Sequence, residues 1–237
     1  MNVESNKYIF LYSIIMVVLV AVSLTIVAIK LKPAQEKNIR VEKMQNILKS
    51  VNILSAPSDA EDKYNQFITE KYVINSKGEM VEGKEAFELD LAVELKKEPD
   101  FRNLPVFVCT QENGEREFIV PLRGKGLWGP IWGYMSFKND FNTVVGCMFD
   151  HKGETPGLGA EINTGVFQSQ FFNKKIFNES GNLTAIDIIK GGAAPDNIHG
   201  VDAISGGTIT SKGVQYMVRD CLMLYEPFFK SKMASGK

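Results

Sequence analysis

The longest apolar stretch of the chain lies near its N-terminus, where residues 8–29 contain no charged side chain. A helix of about 20 such residues spans the hydrocarbon core of a bilayer. Tyr8 and Tyr12 stand at one end of the stretch, where interfacial aromatic residues are expected. A cleaved signal peptide has a shorter apolar core and a small-residue cleavage site. The pattern therefore predicts an uncleaved single-span anchor within residues 1–32.

Helical spacing of apolar residues resumes after the anchor. Residues 40–54 have apolar side chains three and four positions apart, which predicts an amphipathic helix leaving the membrane. Ala56 and Pro57 end this pattern, and Ser58 with Glu61 forms the capping-box pattern that opens a second helix. We expect residues 33–100 to form a helical and mixed connecting region that packs on the domain.

A helix with one apolar face follows near the end of the sequence. Apolar residues within 214–225 follow the spacing 3, 4, 7, 8 and 11, which is typical of a helix packed on one side. This helix is predicted to begin near Ser211 and to end before Pro227, because proline disrupts a helix interior. Residues 167–172 are a further, short helix candidate.

The middle of the chain has the pattern of β structure. Asn113-Gly114 and residues 139–140 separate pairs of apolar runs, as hairpin connections do. Residues 72–81 predict a smaller hairpin with a turn at 76–78. The order of elements predicts an α+β fold with a mainly antiparallel sheet and flanking helices, preceded by one N-terminal transmembrane helix. The larger strand candidates are residues 106–110, 117–122, 133–137, 143–149 and 185–189.

Composition limits the classes of partner. The chain has 237 residues and a formal net charge of −1, so no strong basic field is available for nucleic acid. Its three cysteines lie in apolar runs without a CxxC motif, and it has only two histidines. We therefore predict neither a nucleic-acid partner nor a metal site.

The first of three glycine-punctuated segments is residues 124–133, in which four glycines surround two tryptophans. Such a loop can wrap a flat ring, since glycine admits close backbone contact and an aromatic face can shield the ring. The alternative is a tight β connection with its tryptophans in the core.

The second segment, residues 151–161, leaves a strongly apolar strand candidate. An ordinary turn would explain Pro156 and the neighbouring glycines. It would not by itself select Glu154 and Thr155, which can satisfy polar edges of a ligand, or Leu158, which can pack against a ring.

The third segment, residues 202–211, places Gly206 and Gly207 between hydroxyl residues ahead of a predicted helix. Free backbone N–H groups and the positive end of a helix dipole favour an anion at such a place. Thr208 adds a hydroxyl where a phosphate would lie. Asp202 either steers a metal-bound phosphoryl donor or caps a turn locally. The alternative interpretation of the whole segment is an ordinary turn with a helix cap.

Together, the segments resemble FMN-binding domains. Asp-x-x-Ser-Gly-x-Thr at 202–208 looks like their flavinylation motif, and His-x-x-Glu-Thr-Pro-Gly-Leu-Gly at 151–159 looks like its companion loop. The resemblance implies that residues 101–237 bind FMN and that Thr208 holds it covalently through a phosphoester, with Thr210 and Ser211 as rival hydroxyls. It also implies that catalysis needs nothing beyond the flavin. The other cofactor-binding residues are expected to be Gly126, Leu127, Trp128, Glu154, Thr155, Gly157, Leu158, Ser205, Gly206 and Gly207, with Asp202 as part of the flavinylation motif.

Gly-Leu-Trp-Gly at 126–129, behind an N-terminal anchor, resembles the C subunits of the Na⁺-translocating NADH:quinone reductases. The resemblance implies an electron-transfer subunit of a bacterial inner-membrane complex that also contains A, B, D, E and F subunits. Its nearest partners would be the flavin-bearing B subunit and the iron–sulfur-bearing D/E pair. The resemblance also implies a flavin transferase, which would move FMN from FAD onto the threonine during maturation, and a lipid bilayer around the anchor.

Two alternatives remain open. The G subunit of the Rnf complex has the same covalent FMN, but it typically has a tyrosine- and glycine-bearing loop where this chain has Leu127 and Trp128. A membrane-anchored module that binds a ligand without redox work is the second alternative. One residue departs from the family pattern, because Gly207 stands where alanine is usual.

The resemblance implies that the domain is periplasmic, since the flavin transferase of this family acts outside the cytoplasm. The charges flanking the anchor indicate the opposite. Only Lys7 and the α-amino group precede the span, whereas four basic residues follow it closely, and basic flanks favour the cytoplasm. This rule is a bias that partner proteins can override, so we expect a periplasmic domain.

Overall fold

The first helix continues well beyond the predicted span. The computed structural model describes residues 5–235, which fall into two compact units, one ending at Lys43 and one beginning at Met44. Helix α1 (Asn6–Ser50) supplies residues to both units and contains Pro33. It is long and apolar enough to cross a membrane by length and composition. The helix predicted over 40–54 is therefore the end of α1, and it stops earlier than predicted.

The remaining elements follow in the order helix, strands, closing helix. The helices are α2 (Ala60–Phe67), α3 (Leu91–Glu94), α4 (Gly165–Gln168) and α5 (Thr208–Ser235). The strands are β1 (Ile68–Ile74), β2 (Met80–Val81), β3 (Leu104–Thr110), β4 (Arg116–Lys125), β5 (Pro130–Phe137), β6 (Val144–His151), β7 (Asp187–Ile189) and β8 (Gly200–Asp202).

The main sheet has six strands in the order β2-β1-β3-β4-β5-β6, and every neighbouring pair is antiparallel. This confirms the predicted α+β class. The predicted strand at 185–189 is shorter than expected, and it lies outside this sheet. As β7, it pairs in parallel with β8. Strand β8 ends at Asp202, the first residue of the third glycine segment.

Both faces of the main sheet carry a buried cluster, and side chains that alternate along a strand contribute to each in turn. On β3, Val106 and Val108 pack in the cluster covered by α5, while Phe107 and Cys109 pack in a second cluster on the other side. The second cluster includes Met44, Ile47 and Leu48 from the last turns of α1, and Val51 just after the helix.

Helix α5 is longer than predicted, running from Thr208 through Pro227 to Ser235. The prediction that it ends before Pro227 is wrong for a reason of packing. Phe228 and Phe229, just beyond the proline, are buried at 1% and 0% exposure. Burying such side chains contributes roughly 1.5–3 kcal/mol each. Together they offset the cost of about 3 kcal/mol for a proline inside a helix.

Two glycines let α5 lie close against β4. A Cβ atom added to Gly213 would meet the Lys125 carbonyl oxygen at 2.5 Å, and one added to Gly124 would meet Met217 Cβ at 2.6 Å. The first turns of α5 therefore lie beside the connection between β4 and β5, and this closeness assembles the site.

Candidate functional site

The first glycine segment is a tight hairpin and not the long loop predicted for 124–133. Strands β4 and β5 extend to Lys125 and Pro130, which leaves only residues 126–129 as the connection. Gly126 N–H donates to the Gly129 carbonyl at 2.8 Å across it. The connection therefore joins the ends of two inner strands of the sheet.

The two tryptophans of this segment have different surroundings. Trp132 lies within β5, half-buried, and the Arg123 guanidinium sits 5.9 Å from its ring. Trp128 occupies the hairpin tip and is 69% exposed, next to Leu127 at 45%. Neither the wrapping loop nor the alternative of two core tryptophans describes them, and Trp128 is the more exposed of the two.

The third segment forms a turn that leads directly into α5. Gly207 N–H donates to the Ile204 carbonyl at 3.1 Å, and Gly206 has φ +73°. A positive φ at the third position of such a turn favours glycine. Ser211 Oγ accepts from Ile204 N–H at 3.0 Å, and Ser211 N–H donates to the Gly207 carbonyl at 2.9 Å as the first helical hydrogen bond.

Thr208 is the first residue of α5, and its side chain is exposed. The N–H groups of Thr208, Ile209 and Thr210 precede the first helical bond, so the helix itself gives them no partner. Unpaired N–H groups and the positive end of the helix dipole favour a negatively charged group at this position.

Glu154 links the first segment to the third. Its side chain is buried at 5% exposure. The backbone N–H of Trp128 donates to Glu154 Oε1 at 2.8 Å, and the Thr210 hydroxyl donates to Glu154 Oε2 at 2.5 Å. Glu154 N–H in turn donates to His151 Nδ1 at 3.1 Å. We call this pair of side-chain bonds, Trp128–Glu154–Thr210, the carboxylate clamp.

Two glycines make room for the clamp. A Cβ atom on Gly126 would meet Glu154 Oε1 at 2.5 Å. One on Gly159 would overlap Thr210 Oγ1 and would meet Glu154 Oε2 at 2.6 Å. These positions therefore require the absence of a side chain, which ordinary turn geometry does not explain.

The three segments enclose one cavity of about 230 Å³. Its lining joins a polar edge, with Glu154 and Thr208, to apolar walls. Eight of the predicted site residues line it, together with three that were not predicted to bind the cofactor. The eight are Leu127, Trp128, Glu154, Thr155, Leu158, Gly206, Gly207 and Thr208, and the three are Gly159, Ile209 and Thr210.

Three predicted site residues lie outside the lining of this cavity. Gly126 backs the clamp, as described above. Gly157 has φ +74°, and its N–H donates to Glu161 Oε1 at 3.0 Å, which fixes the turn that presents Leu158. Ser205 is exposed within the turn before α5.

Asp202 is also outside the lining. Its Oδ1 accepts from Ala193 N–H at 2.7 Å, and its own N–H donates to Gln170 Oε1 at 2.8 Å. The side chain therefore ties β8 to the loop after β7 and does not cap its own turn. This contact differs from the local cap considered for Asp202 from the sequence.

Comparison with known proteins agrees with this arrangement. The sequence model of a family described as FMN-binding domain matches residues 126–223, which contain the second and third segments and residues 126–133 of the first. The C subunit of the Na⁺-translocating NADH-quinone reductase of Haemophilus ducreyi is 36% identical over 202 residues, 79% of this chain and 78% of that protein. The chain belongs to the family of these C subunits. The corresponding protein of Vibrio vulnificus is 31% identical over 80% of each chain.

Solved structures of the C-subunit family share the fold. The crystal structure from Parabacteroides distasonis matches with a TM-score of 0.77 and 43% identity, over 84% of this chain and 96% of that one. The structure of NqrC from Shewanella oneidensis matches with a TM-score of 0.72 and 28% identity, over 82% and 98%. The predicted membership of this family is thereby confirmed.

Sequence reasoning missed the structural part that Thr210 and Gly159 play in this family member. Thr210 was a rival hydroxyl for FMN attachment, and Gly159 was one glycine of a turn. The signal for Gly159 was present, since it follows Leu158 inside the segment that resembles the family motif. The contact between Gly159 and Thr210 joins residues 51 positions apart, which no local pattern reports.

Replacing Gly159 by alanine is expected to break the carboxylate clamp. The new methyl group would overlap Thr210 and Glu154, and overpacking of this kind costs about 1–3 kcal/mol. Thermal unfolding followed by circular dichroism measures the loss. Gly153→Ala is the matched control in the same loop, because its added Cβ meets nothing within 4 Å. Equal melting temperatures for the two variants would contradict the clamp.

Proposed function

We propose that this chain is the electron-transferring C subunit of a Na⁺-translocating NADH:quinone reductase and that it holds FMN in the cavity described above. The family membership and the match to the FMN-binding domain support this proposal. Bound FMN would supply the redox chemistry, and the protein would supply its position and surroundings.

The residues present fit FMN. Leu127, Trp128, Leu158 and Ile209 provide apolar and aromatic contacts suited to the flat ring. The first turn of α5 provides N–H groups and a favourable dipole for the phosphate. A cavity of about 230 Å³ accommodates part of such a cofactor and leaves the rest facing outward.

The choice of attachment residue follows from the burial of the hydroxyls. Thr210 is 2% exposed and donates to Glu154, while Ser211 is 1% exposed and accepts from Ile204 N–H. Thr208 is exposed and lines the cavity. Among these three hydroxyls, that of Thr208 is the accessible one, and this observation carries the proposal of a phosphoester at Thr208.

The attachment step balances without a redox agent. The Thr208 oxygen would bond to the FMN phosphorus of FAD, the phosphoanhydride bond would break, AMP would leave, and the hydroxyl proton would be released. A flavin transferase would catalyse this step. Asp202 would contribute by holding β8 to the loop at Ala193, so that the motif is presented in one conformation.

The partners of the chain would be the A, B, D, E and F subunits of the complex, with electron exchange involving the flavin-bearing B subunit and the D/E pair. The G subunit of the Rnf complex is the second candidate of the same chemistry. The Leu127-Trp128 hairpin tip favours the quinone reductase over it, as does the family of the relatives compared above.

Intact mass spectrometry of the full chain tests the function. Co-expression with a flavin transferase should give a yellow protein that is heavier by one FMN less one water. A colourless chain of unmodified mass, obtained with active transferase present, would contradict the electron carrier and favour a binding module without redox work.

We also propose that the domain is periplasmic and that α1 anchors it in the inner membrane. Ser235→Cys provides a reporter, because Ser235 is exposed whereas the three native cysteines are buried. Burial raises the pKa of Cys109 and of Cys221 to about 12, which leaves little reactive thiolate. A membrane-impermeant maleimide should label this variant in intact spheroplasts and leave the parent chain unlabelled. Labelling only after lysis would place the domain in the cytoplasm.

A further inference from the structure

Glu154 combines burial, a ligand-facing position and the lack of a counter-charge. Its carboxylate is 5% exposed and lines the cavity. Among residues 5–235, no lysine, arginine or histidine forms an ion pair with it. Burying an unpaired carboxylate is costly, because the protein interior solvates charge poorly. A charge retained at this cost, in the wall of a cofactor cavity, calls for a function.

The hydrogen bonds of the clamp do not by themselves require a charge. Both oxygens act as acceptors, from Trp128 N–H and from the Thr210 hydroxyl, which is the pattern of an ionised carboxylate. A glutamine could accept from Trp128 with its oxygen and donate to Thr210 with its nitrogen. The negative charge is therefore the property that glutamate adds at this position.

We propose that the charge of Glu154 lowers the reduction potential of the flavin, an inference that rests on FMN occupying this cavity. Adding one electron to the flavin, from a donor protein or a chemical reductant, adds one negative charge to it. A carboxylate in the same poorly solvated wall repels that added charge. No bond forms or breaks at Glu154, which acts only through its position and charge.

The variant Glu154→Gln in the full chain tests the proposal. It is co-expressed with flavin transferase, purified in detergent, and titrated with dithionite and mediators while flavin absorbance is recorded. We expect the equilibrium constant for addition of the first electron to rise at least threefold. For one electron, a tenfold change in the equilibrium constant corresponds to about 59 mV, so a threefold rise raises the reduction potential by about 28 mV.

Two further variants separate charge from structure. Glu161→Gln removes an equal charge from the same segment, at a side chain that bonds Gly157 N–H and does not line the cavity. It should leave the potential near that of the parent. Thr210→Val removes one bond of the clamp but keeps the charge, so its potential should stay closer to the parent value than that of Glu154→Gln.

The outcomes are distinguishable. A parent chain without covalent flavin would overturn the proposed function itself. A loaded Glu154→Gln protein with an unchanged potential, or an equal shift in Glu161→Gln, would overturn only the role of Glu154. A folded Glu154→Gln protein that takes up no flavin would also overturn it, because the charge would then serve loading and not the potential.

Discussion

Replacing Thr208 by alanine is expected to abolish covalent flavin completely while leaving the fold intact. Thr208 is exposed at the first position of α5, so its hydroxyl makes no contribution to the core. The neighbouring hydroxyls of Thr210 and Ser211 are buried and engaged, and they offer no replacement acceptor. Flavin fluorescence of the denatured protein in a gel, together with intact mass, measures the loss.

Thr208→Ser is the matched control, because it keeps a hydroxyl at the same position. It should retain covalent flavin, and Thr210→Val should retain it as well, since Thr210 supports the clamp and is not the acceptor. Fluorescence that survives in Thr208→Ala and disappears in Thr210→Val would show that Thr208 is the wrong hydroxyl. Melting temperatures of all variants establish that loss of flavin does not reflect unfolding.

Removing the last turns of α1 together with Val51, which follows the helix, is expected to unfold the domain. Ile47, Leu48 and Val51 are at most 2% exposed and belong to the second core cluster. Their burial contributes roughly 5–9 kcal/mol at about 1.5–3 kcal/mol each. This amount is comparable to the whole stability of a typical domain, about 5–15 kcal/mol. A chain beginning at residue 56 should therefore be insoluble or lack a cooperative unfolding transition.

A chain beginning at residue 38 is the control, because it lacks the apolar span but keeps Met44 and all that follows. It should unfold cooperatively in a circular dichroism melt. Within that chain, Leu48→Ala should cost about 2–5 kcal/mol as a buried large-to-small change. A stable chain beginning at residue 56, with the same melting temperature as the longer one, would show that α1 is dispensable for the core.

Much of the fold could be predicted because its signals are local. Apolar runs of strand length, Asn-Gly at 113–114 and the apolar face of α5 each depend on neighbouring residues, and the structure has antiparallel strands and a closing helix there. The candidate site was predictable for the same reason, as its motifs are short and contiguous. Eight of its predicted members line the cavity.

The errors arose where distant contacts outweigh local preference. Pro227 predicted the end of a helix, but the burial of Phe228 and Phe229 extends α5 past it. A ten-residue loop was predicted at 124–133, but the structure has a short hairpin there, because pairing between β4 and β5 continues to Lys125 and Pro130. The clamp from Glu154 to Thr210 was invisible for the same reason.

The chain order of the cavity has a consequence for biogenesis. The hairpin at 126–129 and the segment at 151–159 leave the ribosome before Thr208. Thr208 begins α5, the helix that covers the cluster containing Val106 and Val108. Glu154 cannot engage Thr210 until α5 has been synthesised and has packed on β4. The cavity around the Thr208 hydroxyl is therefore completed only at a late stage of folding. The proposed attachment of FMN at Thr208 would then be a post-translational event, and incomplete chains would not consume flavin.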